Sequence, residues 1–238
     1  MAYNEVETLD RTCCEILEVL NGTVPDAELL IVNDGSTDGT HERADSIKAQ
    51  EGRIRVIHHA RNQGLGGVYR TGFAEGKGDY VTFFPADGQF PAQIIRDFLP
   101  RMRDNDLVLG YLPAGSRAPS AEVLSWMERL LYRFLLGKLP RFQGILMFRR
   151  ELLSRHHLQS TGRGWTILME LIVRCAKANE RISSIPTEVR PRSHGSSKVN
   201  NMRTIWSNLR QLMALRAVLR RPLLSTSDGE PSSNVAES

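Results

Sequence analysis

Short apolar strand patterns alternate with amphipathic helix patterns through the first half of this chain, and that order restricts the fold more than any other feature. Val6, Leu9, Cys13, Ile16, Leu17 and Leu20 recur at helical spacing after Asn4, which with Glu7 three residues on reads as a helix cap. Leu29–Val32 is a strand that breaks into Asn33-Asp34-Gly35-Ser36, and a helix through Ala44 and Ile47 follows. Ile54–Ile57 reads as a strand, Leu65–Glu75 as a helix, Tyr80–Phe84 as a strand, Pro91–Met102 as a helix and Leu107–Leu109 as a strand. Such βαβα order predicts an α/β fold, a three-layer, mostly parallel sheet with ligands at the carboxyl ends of the strands. A parallel unit carries a strand ahead of its first helix, yet Met1 stands three residues before Asn4. The expectation is a domain that lacks its first strand.

The second half is less regular. Pro113, Gly115 and Pro119 mark a loop before a helical pattern over 120–136, and further helical patterns span 165–178 and 203–220. Beyond Pro222 the chain is polar, with little to bury, so the expected division is one domain over 1–221 and a disordered tail over 222–238. No run of eighteen apolar residues could cross a bilayer, and no charged-then-apolar leader opens the sequence, which points to a cytoplasmic protein. Cys13, Cys14 and Cys175 lack paired metal spacing and read as reduced structural thiols.

Charge is divided along the chain. Residues 1–100 hold 9 Lys/Arg against 16 Asp/Glu, and the remainder holds 22 against 11. The carboxyl-terminal part is therefore the expected contact for anions, whether phosphate, an anionic membrane surface or nucleic acid, with a merely solvated basic face as the alternative. Over 203–221, Arg203, Arg210, Arg216, Arg220 and Arg221 stand without an acidic residue. Ile205, Trp206, Leu209, Leu212 and Met213 recur on the other side. That helix suits the headgroup region of a membrane, or else its apolar stripe packs on the protein's own core.

Three segments could carry chemistry. Asn33-Asp34-Gly35-Ser36 ends a strand where a carboxylate and turn amides can meet a nucleotide, or forms a plain turn. Asp87-Gly88-Gln89 follows an apolar strand and offers a carboxylate and an amide oxygen, hard ligands for Mg²⁺ or Mn²⁺ beside substrate phosphates, or again a turn. Arg190, Arg192, Ser197 and Lys198 lie in a loop of small residues suited to phosphate oxygens, unless it is only a solvated basic loop. His58, His59, His156, His157 and His194 show no zinc spacing and read as surface or loop residues. Gly64-Leu65-Gly66-Gly67 lacks the full spacing of a dinucleotide loop.

Taken in order, these pieces resemble the family 2 glycosyltransferases of GT-A type, most of all the dolichol- or polyprenyl-phosphate mannose synthases. The resemblance runs from residue 2 to about 215. It rests on Ala2-Tyr3-Asn4-Glu5, Ile31 to Thr40, Arg61-Asn62-Gln63-Gly64 to Gly72, Gly78-Asp79-Tyr80-Val81, Asp87-Gly88-Gln89, Phe148-Arg149-Arg150-Glu151 and Arg192 to Lys198. It implies an enzyme that moves a sugar from a nucleotide-sugar donor to a polyprenyl (dolichyl or undecaprenyl) phosphate, with no nucleic-acid partner. Ala2, Tyr3, Glu5, Asp34 and Asp87 would hold the nucleotide sugar, and Asp87 and Gln89 the Mg²⁺ or Mn²⁺. Arg190, Arg192, Ser197 and Lys198 would hold phosphate, with Asp87, Arg192 and Lys198 as the catalytic set. It further implies a peripheral contact with the cytoplasmic face of a membrane.

The sequence departs from the family pattern at three places. Pro85 stands where the Asp-x-Asp motif has its first aspartate, Pro140-Arg141-Phe142-Gln143-Gly144 lacks an acidic residue before its glycine, and the first strand is absent. Two other readings therefore stand beside the first: transfer to a hydroxyl acceptor, with Glu170 or Asp79 as base, and a degenerate member that binds nucleotide sugar or membrane without turnover.

Overall fold

The computed structural model describes residues 1–113, 132–137, 139–191 and 202–220, the last without side chains for 202–209. The tail over 222–238 and most of the 120–136 helical pattern lie outside the described residues. Helix α1 (Leu9–Asn21) buries Leu9, Cys13, Ile16, Val19 and Leu20, the stripe its spacing predicts. Its start is four residues later than the Asn4 cap requires. Asn4 adopts a left-handed backbone (φ 56°), and its Oδ1 accepts the Thr37 N–H at 2.9 Å while its own N–H is donated to Ser36 Oγ at 3.0 Å. The side chain that looked like a helix cap instead ties the entry loop to the turn after β1, a use that Asn's tolerance of positive φ permits.

β1 (Leu29–Asn33), α2 (Thr40–Gln50), β2 (Ile54–His58) and α3 (Gly64–Glu75) follow the expected order, and β1 and β2 pair in parallel from Leu29↔Ile54 to Asn33↔His58. β3 (Tyr80–Thr82) is shorter than its apolar run. The helix expected over 91–102 is α4 (Ile94–Phe98) and then a 3-10 turn (Leu99–Arg103), because Pro100 has no N–H with which to continue an α-helical ladder. β4 (Leu107–Tyr111), β5 (Leu146–Arg149), α5 (Leu152–Arg155), α6 (Thr166–Lys177), β6 (Ile182–Pro186) and α7 (Met202–Arg220) complete the described chain.

β3, β5, β4 and β6 form a second sheet in that order. β4 and β6 are parallel, and β5 runs antiparallel to both of its neighbours, so this sheet is mixed. Phe148, Leu107, Leu109 and Leu146 bury their side chains against α6, and α4 covers Val108, Ile145 and Met147 on the other face. α7 packs on α6 through Leu212 and Leu215, 3% and 1% exposed, while Met213 is 62% exposed. On this helix the apolar stripe serves the protein's own core, at least over its described side chains. Ile205, Trp206 and Leu209 lie outside the described side chains. Among the described residues no helix is long and apolar enough to cross a membrane.

Candidate active site

The site is assembled at the carboxyl ends of β1 and β3. Met1 and Ala2 lie between these strands: Ala2 N–H is donated to Val32 O and Asp34 N–H to Ala2 O, both at 2.9 Å. On the other side the Met1 amine is donated to Phe84 O at 3.0 Å and Ala86 N–H to Met1 O at 2.9 Å. Ala2, Tyr3 and Glu5 are thereby brought beside both the Asp34 turn and Asp87. Tyr3 is 43% exposed, and Glu5 N–H is held by Thr40 Oγ1 at 2.9 Å.

Asp34 has an internal task that its position in the sequence does not disclose. Its Oδ1 accepts the Gln63 N–H at 2.8 Å and meets His59 Nδ1 at 2.7 Å, and its Oδ2 accepts the Gly64 N–H at 2.8 Å. His59 Nε2 in turn meets Thr71 Oγ1 at 2.8 Å. The buried carboxylate therefore pins the loop after β2 and the start of α3, which leaves about one of its four lone pairs, on Oδ2, for a ligand. His59 is 9% exposed, not a surface residue, and no spacing in the sequence pairs it with Asp34. Gly35 (φ +68°) lies so close to this loop that a Cβ there would stand 2.7 Å from the Arg61 carbonyl carbon. At Gly66 a Cβ would meet Gly162 O at 2.0 Å, so the glycines of 64–67 serve close packing of α3 on the 162–164 loop.

Asp87-Gly88-Gln89 turns directly after the Met1–Ala2 contact. Gly88 has φ +69°, and Gln89 N–H is donated to Asp87 Oδ1 at 3.1 Å. Gln89 O accepts the Arg190 N–H at 2.8 Å, so the beginning of the basic loop is fastened to this turn. The Arg190 guanidinium itself is held by Glu15 Oε2 and Oε1 at 2.7 and 2.9 Å, and that hydrogen bond lowers the Glu15 pKa. Arg192, Ser197 and Lys198 lie outside the described residues. A carboxylate and an amide oxygen two residues apart suit a hard divalent cation whose other ligands are phosphate oxygens and water. Pro85 removes one further carboxylate from that set.

Two other polar groups are structural. Glu170 is fully buried, and its oxygens accept the Gln159 and Ser160 N–H groups and Arg174 Nε, at 2.7 to 3.1 Å. It has no path to a substrate hydroxyl. His41, Asp45 and His58 present ligand atoms within 4.8 Å of one another. His58 Nδ1, however, faces Asn33 Nδ2 at 3.0 Å, an orientation fixed by Ser36, which donates to Asn33 Oδ1 from both its N–H and its Oγ. Nε2 then carries the ring proton and gives it to Asp45 Oδ1 at 3.2 Å, which makes this a hydrogen-bonded cluster.

Comparison with known proteins identifies the family and the fold. Residues 1–160 match the family described as Glycosyl transferase family 2. The undecaprenyl-phosphate mannosyltransferase of Micrococcus luteus is 31% identical over 209 residues, 83% of this chain and 84% of that one. Among solved structures, mannosyl-3-phosphoglycerate synthase from Rubrobacter xylanophilus superposes with a TM-score of 0.68 at 18% identity, over 98% of this chain and 77% of that one. Glucosyl-3-phosphoglycerate synthase from Mycobacterium tuberculosis, in complex with Mn²⁺, UDP-glucose and phosphoglyceric acid, superposes with a TM-score of 0.62 at 20% identity, over 89% and 77%. A family match over more than half of the chain, a relative above 30% identity along most of both lengths and these shared GT-A folds have one consequence: the chain belongs to glycosyl transferase family 2.

Proposed function

We propose that this glycosyltransferase moves a sugar from a nucleotide-sugar donor to a polyprenyl phosphate. The observation that carries the reading is the resemblance to the undecaprenyl-phosphate mannosyltransferase of Micrococcus luteus along most of both chains. The state of Glu170 favours the same acceptor class. A hydroxyl acceptor needs a base, and of the two carboxylates read for that role Glu170 is spent on three internal donors, which leaves only Asp79. A phosphate monoester, with a second pKa of about 6, is already largely ionised at neutral pH and needs none.

In this reading Ala2, Tyr3, Glu5 and the free lone pair of Asp34 hold the nucleotide. Asp87 and Gln89 would hold Mg²⁺ or Mn²⁺, and the chemistry such an ion would supply is neutralisation of charge on a leaving diphosphate. Arg190 fastens the beginning of the basic loop to the Asp87 turn through its main chain, and Arg192, Ser197 and Lys198 are the residues that would meet phosphate oxygens, the arginine and lysine with positive charge. The loop's approach to a lipid phosphate places the protein against the cytoplasmic face of a membrane.

The test is product analysis with labelled nucleotide sugars, offered polyprenyl phosphate and, separately, soluble hydroxyl acceptors, with and without chelator. Metal-dependent transfer to the lipid phosphate is expected. Transfer only to hydroxyl acceptors defeats the acceptor assignment, and donor binding without turnover on either class defeats catalysis.

A further inference from the structure

The loop after β2 is held from two sides, and Asp34 is only one of them. Asp34 accepts the Gln63 and Gly64 N–H groups, both at 2.8 Å. From the other side Arg163 Nη2 donates to Asn62 O at 2.9 Å and to Asn62 Oδ1 at 2.8 Å. One guanidinium nitrogen thus chelates both oxygens of the residue before Gln63, from 101 positions away in the sequence. The glycines around this loop leave it little slack. A Cβ at Gly35 would stand 2.7 Å from Asn62 N, and one at Gly64 would stand 2.6 Å from Arg163 O.

The main chain that carries Arg163 is fixed before its side chain reaches out. Arg163 O accepts the Gly66 N–H at 2.8 Å, and Gly162 O accepts Arg70 Nη1 at 3.0 Å, both from α3. Gly164 N–H is donated to Gln211 Oε1 of α7 at 3.1 Å. The guanidinium itself lies at the surface, and among the described residues no carboxylate pairs with it. An arginine so placed adds little to global stability. What its two bonds do set is the position of residues 62–64 against the end of β1. That position governs Asp34, because the terminal torsion of an aspartate is broad. The amides that the carboxylate accepts therefore decide where the remaining lone pair of Oδ2 points.

We propose that Arg163 is a positioning residue for the nucleotide-sugar donor. By clamping Asn62 it keeps the Gln63 and Gly64 amides in register with Asp34, and so aims the free lone pair of Oδ2 before the nucleotide arrives. It acts through the loop and touches no reacting atom. The inference rests on the reading of Asp34 as a nucleotide contact. Without the clamp the ligand itself has to order the loop, a cost that falls on donor affinity and not on the transfer step.

The test compares Arg163→Ala and Arg163→Lys with the parent. UDP-glucose and GDP-mannose, each with Mn²⁺, are titrated by calorimetry, and the one that the parent binds serves as the probe. Arg163→Ala should bind it about fivefold to twentyfold more weakly, with kcat for transfer to polyprenyl phosphate at saturating donor within about twofold of the parent. Amide hydrogen exchange at Gln63 and Gly64 should quicken about tenfold without ligand, and the melting midpoint should stay within about 4 °C. Lysine should recover most of the affinity, because both bonds come from one nitrogen and an ammonium carries three donors. A parent that binds neither nucleotide sugar defeats the nucleotide assignment of Asp34, and this proposal with it. A parent that binds one while Arg163→Ala binds it equally defeats the proposal alone. So does a fall in kcat with affinity kept, or a weakened affinity that comes with a melting point more than about 10 °C lower and no recovery by lysine. Should Arg163→Ala not fold, Asn62→Ala removes the side-chain bond and spares the main-chain one. It should weaken donor binding about twofold to fivefold, and parent-like affinity there also overturns the idea.

Discussion

Asp34→Asn separates a structural carboxylate from one that only touches ligand. The substitution removes a charge and almost no volume. Asn can keep one oxygen for Gln63 N–H and His59 Nδ1, but its amide nitrogen then faces the Gly64 N–H, donor against donor. One charge-assisted hydrogen bond, worth about 1.5–3 kcal/mol, is lost, and a partly buried N–H is left to find water. With the two remaining bonds weakened to neutral acceptors, the total comes to about 2–4 kcal/mol. For a chain of this size each kcal/mol moves the midpoint by about 2–4 °C, so Asp34→Asn should melt roughly 5–15 °C below the parent without any ligand present.

The assay is a thermal melt of ligand-free protein by circular dichroism, with His59→Gln measured beside it. Because His59 bridges Asp34 to Thr71, its loss should reproduce part of the shift. The double variant should then fall short of the sum of the singles, since both substitutions break the shared Asp34–His59 bond. An Asp34→Asn protein that melts with the parent but no longer binds donor would refute the reasoning, because it would make the carboxylate a ligand contact and the hydrogen bonds to the 59–64 loop incidental.

Asp87→Asn should abolish metal-dependent donor binding in calorimetry and leave the melting curve in place; donor and metal bound as tightly as by the parent would remove Asp87 from the metal site. Glu15, whose pKa is held below its usual value by Arg190, contributes stability that is present above the ordinary carboxylate range and is lost as pH falls through its lowered folded value. The stability gap between parent and Glu15→Gln should therefore be full at pH 7 and close on acidification below about pH 4 in melts across pH, whereas a gap that widens there contradicts the pairing. Arg216→Glu with Arg220→Glu should reduce co-sedimentation with anionic vesicles, and less so at high salt, with the melting point kept, because the buried stripe of α7 is Leu212 and Leu215. Equal sedimentation of parent and double variant removes the membrane contact of this helix.

The first half of the fold was legible because each of its elements is mostly local. β2 and α3 begin and end within a residue of where periodicity and glycine place them, α2 contains the Ala44 and Ile47 of its pattern, and Leu29–Val32 is an apolar run long enough to stand alone as a strand. β5 and β6 were not legible. Ile182-Ser183-Ser184-Ile185-Pro186 is half polar and ends in proline, as an edge strand can, and only its pairing with β4 makes it a strand. Leu146–Arg149 follows a segment without helical period, and an antiparallel insertion between β3 and β4 breaks the βαβ order from which parallel strands are inferred. Asn4 was misread for the opposite reason. Its local signal, a capping residue ahead of Glu7, was outweighed by a partner 33 positions away.

The same distinction governs the candidate site. Asp34, Asp87 and Arg190 are at legible positions because strand ends and turn residues announce themselves, but the groups they bond are not announced. Asp34 meets His59 and Gly64 across 25 and 30 positions, Arg190 meets Glu15 across 175, and Met1 meets Phe84 across 83. The last of these bonds lies in the gap between the two sheets. Ala2, Tyr3 and Glu5 are held there by two residues of strand, bonded on one side to β1 and on the other to the segment that ends in Asp87. The position of Ala2, Tyr3 and Glu5 relative to Asp87 is thus set by those two residues, a dependence that spacing along the chain does not disclose.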